Sequence, residues 1–315
     1  LVVGSVGAAG CGVAWDANPG EVAVHAVEMD GKLVGSVTGF AVGDTSPSTG
    51  QPRAVAFRVD TLSGPELLRW VRDELNAHGD DVRESANRHD VAVVKLDPAG
   101  LELGRVALGL AHVEEIVVPK VHADGRDDLV MDVRLHGERL VESEALRAPT
   151  ADSVLVSGAR QGLAGQDRTR GGLLPGARFS LGVGLPGGAT AWTCSSASDP
   201  VCATLTFSIH RQRQPVTPEK MHAPGAMAGD WAPGKVEVQR DWTGDTTWVT
   251  WADDGVEAPR RTVRLVFRDQ GENEKLTLTL ADSYLLAWTG PPPRDRGAVN
   301  VRESATLVFH DLRWE

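Results

Sequence analysis

The sequence predicts a mainly β protein with two tandem β-sandwich or β-barrel domains, each carrying one short helix. Three observations lead there. Apolar and polar residues alternate at period two along most of the chain. The alternating runs are short and are separated by clusters rich in Gly, Pro, Asp and Ser. A similar order of runs occurs twice in 315 residues, a length that suits two domains. The expected division is a first domain over 1–145 with an N-terminal extension, a glycine-rich linker over 146–175, and a second domain over 176–315.

The elements follow in order. A strand is predicted over 22–29, and Asp30-Gly31 is a two-residue hairpin signal. A returning strand over 32–40 leads to a Ser/Pro/Gly/Thr loop over 43–52 and a strand over 54–59. A helix should start after Ser63, a candidate cap, with Pro65 in its first turn and Leu67, Leu68, Trp70, Val71 and Leu75 as its apolar stripe. Strands over 91–96, 103–118 and 129–135 follow, the first turning at Pro98-Ala99-Gly100. Residues 151–190 hold 10 glycines in 40 and read as linker and extended loops, with one strand near 179–183. Strands over 203–209, 235–240, 262–268, 274–288 and 305–309 complete the chain, with a Pro/Met-rich loop over 215–233 and a short helix over 246–253.

Composition narrows the function. The net charge is −11, which disfavours a nucleic-acid-coating protein with its basic face. No apolar run is long enough for a membrane-spanning helix. The chain opens at Leu1, and its small-residue start, ending in Cys11, is expected as a Gly-rich strand. The positively charged start of a secretory leader or lipoprotein signal is missing. Cys194 and Cys202 flank a polar turn, a spacing that can close a loop with a disulfide in an oxidising compartment; otherwise they are two thiols. No Cys-x-x-Cys pair points to a metal, so no metal or other cofactor is expected.

The repeat is visible in the residues. Asp90-Val91-Ala92-Val93-Val94-Lys95-Leu96-Asp97 is matched by Thr262-Val263-Arg264-Leu265-Val266-Phe267-Arg268-Asp269. The runs at 103–111 and 274–281 follow them. The endings Leu135-His136-Gly137-Glu138-Arg139 and Phe309-His310-Asp311-Leu312-Arg313 align His136 with His310. Upstream, Asp60-Thr61-Leu62-Ser63-Gly64 sits where Arg240-Asp241-Trp242-Thr243-Gly244 sits.

This order resembles the tail tube proteins of contractile phages and the related tubes of contractile injection and type VI secretion systems. Its carriers are the turn Arg240-Asp241-Trp242-Thr243-Gly244, the helix from Pro65, the hairpin strand 278–291 with its Trp288 and Pro291, and the closing strand 304–309. The resemblance covers about 120 residues of the first half and 110 of the second, while 141–200 matches nothing. It implies two tail-tube-like domains whose sheets join edge to edge around a lumen. Two such domains per chain imply three chains per ring, with rings stacked into a filament. The implied partners are further copies of the chain, with sheath or baseplate proteins. The implied location is an extracellular filament, an assembled injection particle or a virion. The segments expected to join rings are 1–18, 43–52 and 151–190.

No constellation supports catalysis. Gly229-Asp230-Trp231-Ala232-Pro233-Gly234-Lys235 has the skeleton of a phosphate loop, but Val236 replaces the Ser/Thr and a strand follows. The pairs Glu114-Glu115, Asp127-Asp128 and Asp253-Asp254 read as solvated turns. Nine Trp accompany one Tyr, seven of them from Trp192 onward. They read as core, as contacts between subunits or as a carbohydrate-stacking platform. The alternative function is therefore a secreted two-domain β-sandwich adhesin or carbohydrate-binding module.

Overall fold

The computed structural model describes residues 24–45, 52–59, 64–77, 88–96, 102–137, 139–143, 174, 178–185, 188–194, 199–214, 230–244, 246–254, 259–290 and 301–315. The expectations on the N-terminal start with Cys11, on the Pro98-Ala99-Gly100 turn and on most of the 146–175 linker lie outside them. Among the described residues the chain is mainly β and antiparallel, with two short α-helices. It forms two compact units that interleave along the sequence. The first comprises 1–58, 88–113 and 134–166; the second comprises 59–87, 114–133 and 167–315. The units therefore do not coincide with contiguous spans.

In the first unit, Val24–Met29 (β1) turns at Asp30 and Gly31, whose φ values of 51° and 78° suit the predicted tight hairpin. Lys32–Thr45 (β2) runs further than expected, into the predicted loop, because Ala41 and Val42 pair with Ala56 and Val55 of Pro52–Val59 (β3). β1 also pairs with His89–Leu96 (β4), β4 with the first part of Glu102–His122 (β5), and β5 with Arg139–Ser143 (β7). Val27, Val93 and Val106 form a buried cross-strand row. Ala26, Ala92, Val94 and Leu96 are buried as a second cluster. With both faces of β4 covered, its sequence reads as an unbroken apolar run rather than an alternating one.

The second unit contains Pro65–Asn76 (α1), the end of β5, Arg178–Gly184 (β8), Thr190–Thr193 (β9), Thr206–Gln212 (β10), Gly234–Asp241 (β11), Thr247–Asp253 (α2), Arg261–Arg268 (β12), Glu274–Thr289 (β13), Arg302–Phe309 (β14) and Asp311–Trp314 (β15). Its strands pair in the order β5-β10-β11-β14-β13-β12-β8-β9, with β15 on β13. Leu181, Leu265 and Leu278 form its buried row. Phe179, Phe207 and Phe267 pack edge-on and tilted at 4.7–5.8 Å between centroids.

The registers of the two units correspond. Val93↔Val106 recurs as Leu265↔Leu278, and Leu108↔Leu140 as Leu280↔Leu312, every residue 172 positions further on. The backbone specials recur as well. Leu110 and Asp282 have φ of 50° and 51° at the same bulge. Within the second unit, Gly64 and Gly244 have φ of 84° and 83° before α1 and α2. The register corrects one expected match. His136 does not correspond to His310, because Arg139 and Leu140 occupy the places of Asp311 and Leu312. His136, on Met131–His136 (β6), lies 5.6 Å from the His112 ring, at the place where Val308 faces Tyr284.

Two further expectations change. The strand expected over 203–209 starts later, since Pro200–Ala203 form a 3-10 turn capped by Asp199. Gly64, not Ser63, stands at the N-cap of α1, with no side-chain cap. The stripe Leu67, Trp70, Val71 and Leu75 is buried, and so is Glu74, while Leu68 is half-buried. α2 has only seven residues and is held by Trp248 and Trp251, stacked at 6.0 Å and both buried.

Candidate assembly edge

β13 changes partners along its length. Its first part pairs with β12 as far as Ser283 and with β15 as far as Ala281. At the bulge around Asp282 the strand bends, and Tyr284–Thr289 pairs only with β14 among the described residues. The free flank carries Leu286, 53% exposed, and the exposed Ala287. Trp288 is half-buried, its Nε1 donating to Glu303 Oε2 at 3.2 Å. That carboxylate also accepts from Arg240 Nε at 2.5 Å, and Arg240 Nη1 donates to Thr193 Oγ1 at 3.0 Å. A buried ion pair thus fixes the strand just behind its open flank.

β5 does the same with a different outcome. It bends at Leu110, and its end is not open: Glu115–His122 pairs with β10 from Gln212 to Thr206. β10 is flanked on its other side by β11. β2, the counterpart of β10, pairs with β3 over Thr38–Thr45, and its other flank there has no strand among the described residues. One unit thus displays the filled form of a pairing whose two surfaces recur unfilled, on β13 and on β2.

α1 is pinned within the second unit. Asn76 Oδ1 accepts from Trp314 N at 2.9 Å and its Nδ2 donates to Trp314 O at 3.2 Å. Glu74 accepts from Arg213 Nη2 at 2.8 Å, both buried, and its backbone O accepts from Trp231 Nε1 at 3.1 Å. Arg211 stacks between Trp231 and Phe309, and burial lowers its pKa to about 10. None of these long-range contacts has a local sequence signal.

The residues singled out in the sequence are placed as follows. Cys194 and Cys202 are joined, with Cα atoms 5.1 Å apart, between the end of β9 and the 3-10 turn. The joint replaces a stretch that β2 spans without a break. Lys235 lies in β11, opposite His210 and Val308. Glu114 and Glu115 lie within β5 rather than in the expected solvated turn. Glu115 takes His210 Nε2 at 2.7 Å, whereas Glu114 is half-buried and its pKa is raised by burial and by Glu115. Asp127 accepts from His122, and Asp254 pairs with Arg261 at 3.3 Å. Trp70, Trp248 and Trp251 are core, and Trp192 is the tryptophan with substantial exposure among the described residues. A single exposed ring does not make a stacking platform.

No family model matches the sequence, and no curated protein matches it. Among solved structures the chain is similar to a component of the anti-feeding prophage baseplate, at 12% identity over 44% of this chain and 92% of that one, with a TM-score of 0.29. It is similar to Hcp1 from Flavobacterium johnsoniae at 14% identity, over 43% of this chain and 93% of that one, TM-score 0.29. It is also similar to a chain of the sheath–tube complex of the PVC extracellular contractile injection system, at 12% identity over 45% and 90%, TM-score 0.29.

Proposed function

We propose that this chain is a structural subunit that polymerises into a hollow tube of stacked rings. Its two tail-tube-like repeats, over 1–145 and 176–315 and joined by 146–175, supply one ring position each. Three chains then close a pseudo-hexameric ring. The single observation that carries this is the filled β5–β10 pairing beside its unfilled counterparts on β13 and β2. A long strand flank left open in a monomer invites pairing with another chain. When the two open flanks belong to one chain and differ, copies join head to tail and close if the rotation allows. The role is structural, not catalytic. Rings stack through 1–18, 43–52 and 151–190, and sheath or baseplate proteins of an extracellular particle are the outside partners.

Cross-linking tests the pairing. In a Cys11→Ser background, Ala287→Cys is combined in turn with Ala41→Cys, Gly43→Cys and Thr45→Cys. At least one combination is expected to give covalent trimers under mild oxidation. Cross-linking in none of the three, with the proteins folded, would refute the β13–β2 contact.

A further inference from the structure

We propose that the Cys194–Cys202 bond is an oxidation-dependent latch on the open flank of β13. Closing the bond holds Trp288 and the strand around it in place, and a chain with two free thiols leaves them loose. As a regulation of assembly this rests on the proposed function, because the flank is where the next chain would pair. The latch itself is a property of one chain and is tested apart from assembly.

Three observations carry it. First, the bond closes a clasp on β11. Cys194 follows Thr193, the last residue of β9, and Cys202 lies in the 3-10 turn that leads to Thr204. Thr193 Oγ1 accepts from Arg240 Nη1 at 3.0 Å, and Thr204 Oγ1 accepts from Asp241 N at 3.0 Å. Arg240 and Asp241 are consecutive residues of β11. The crosslink therefore ties together two hydroxyls that grip one point of that strand.

Second, the grip continues to the flank. Arg240 Nε donates to Glu303 Oε1 at 2.5 Å, and Trp288 Nε1 donates to Glu303 Oε2 at 3.2 Å. Arg240 and Glu303 are each 2% exposed, so water does not simply take over from a displaced partner.

Third, the joint has a relaxed alternative. Cys194 has φ of 66°. A residue other than glycine is strained in this left-handed region and stays there only where its surroundings hold it. Bonded to Cys202 it is held; as a free thiol it can relax. The joint thus has two states, and the bond selects one of them.

The covalent step is an exchange with a small-molecule disulfide. Its S–S bond breaks, the Cys194–Cys202 bond forms, and the two thiol protons leave on the two small thiols. Cys194 and Cys202 are both buried, so the latch is set as the chain folds rather than toggled afterwards.

The test is amide hydrogen exchange, read by mass spectrometry on the full chain in a Cys11→Ser background. Oxidised chain is compared with chain made and kept in dithiothreitol, and with the Cys194→Ser/Cys202→Ser variant. Each sample is the supernatant after ultracentrifugation, so that unassembled chain is measured. Both thiol forms should exchange about tenfold faster over 284–289, the order for losing one hydrogen bond to a charged group. Residues 276–280, ahead of the bulge on the same strand, should be unchanged. Oxidised Thr193→Val should loosen 284–289 in the same way, and Thr193→Ser should restore the protection. Equal exchange over 284–289 in oxidised and thiol forms would overturn the latch. So would equal loosening over 276–280, which marks a general staple, or a silent Thr193→Val. The pellets read the regulation. Tubes sedimenting from oxidised chain and scarce from the thiol forms are expected, and equal yields would overturn the regulation. A redox-dependent flank in a chain that never sediments supports the latch and overturns the tube reading alone.

Discussion

Arg240 and Glu303 are direct cross-strand partners on β11 and β14, each 2% exposed, and they stand behind the open flank of β13. Replacing Arg240 with Met keeps the volume and removes the charge. Glu303 then remains buried without its guanidinium partner, keeping the Trp288 Nε1 donor, and Thr193 Oγ1 loses the Arg240 donor. Breaking a buried pair from one side typically costs about 3–5 kcal/mol. Replacing both residues, Arg240→Met with Glu303→Leu, removes both desolvated charges and is often near neutral. Here Trp288 Nε1 is left without its acceptor, which adds about 1–2 kcal/mol. The double variant should therefore be more stable than the Arg240→Met single variant by about 2 kcal/mol. Urea unfolding followed by tryptophan fluorescence gives all the values needed for the cycle. A single Arg240→Met variant within about 0.5 kcal/mol of the parent would refute the reasoning, because the carboxylate would then be hydrated.

Gly234 permits the close approach of Phe309: an added Cβ would lie 2.1 Å from the ring of a fully buried side chain. Gly234→Ala should cost about 1–3 kcal/mol, read as a lower urea midpoint. Mass spectrometry without reductant should find Cys194 and Cys202 bonded in material matured outside the cytoplasm. Reduction should then lower stability by about 2–3 kcal/mol, as suits a short loop. His25 has its pKa lowered by burial and by Lys95. Its unfolded form, near 6.5, binds the proton more readily, so its contribution is complete above that pH and is lost as pH falls through the folded value. His25→Leu should therefore flatten the fall in stability between about pH 7 and 5, measured as the difference from the parent.

Much of the fold is legible in local pattern. The alternation of 262–268 marks β12, Asp30-Gly31 marks the β1–β2 hairpin, and the spacing of Leu67, Trp70, Val71 and Leu75 marks α1. Each of these signals lies within one turn or one strand. The strand-bending bulges escaped because Leu110 and Asp282 are not glycine, so nothing local announces a positive φ. The match of His136 with His310 followed a shared His-x-x-Arg string, whereas the register is set by Leu140 and Leu312 on the buried face. The placement of α1 depends on Glu74 meeting Arg213, a pair far apart in sequence. The open flank of β13 was equally hidden, since which neighbour a strand lacks is a property of the assembled sheet.

In the proposed function, copies of this chain join through the flanks of β13 and β2 into rings that stack as a tube. Electron microscopy of the purified full chain, with rotational averaging of end-on views, tests it most directly. The expected images show hollow tubes whose rings hold three chains, with six similar densities around the lumen. Monodisperse particles of a single chain at every concentration, or rings of six whole chains, would contradict it.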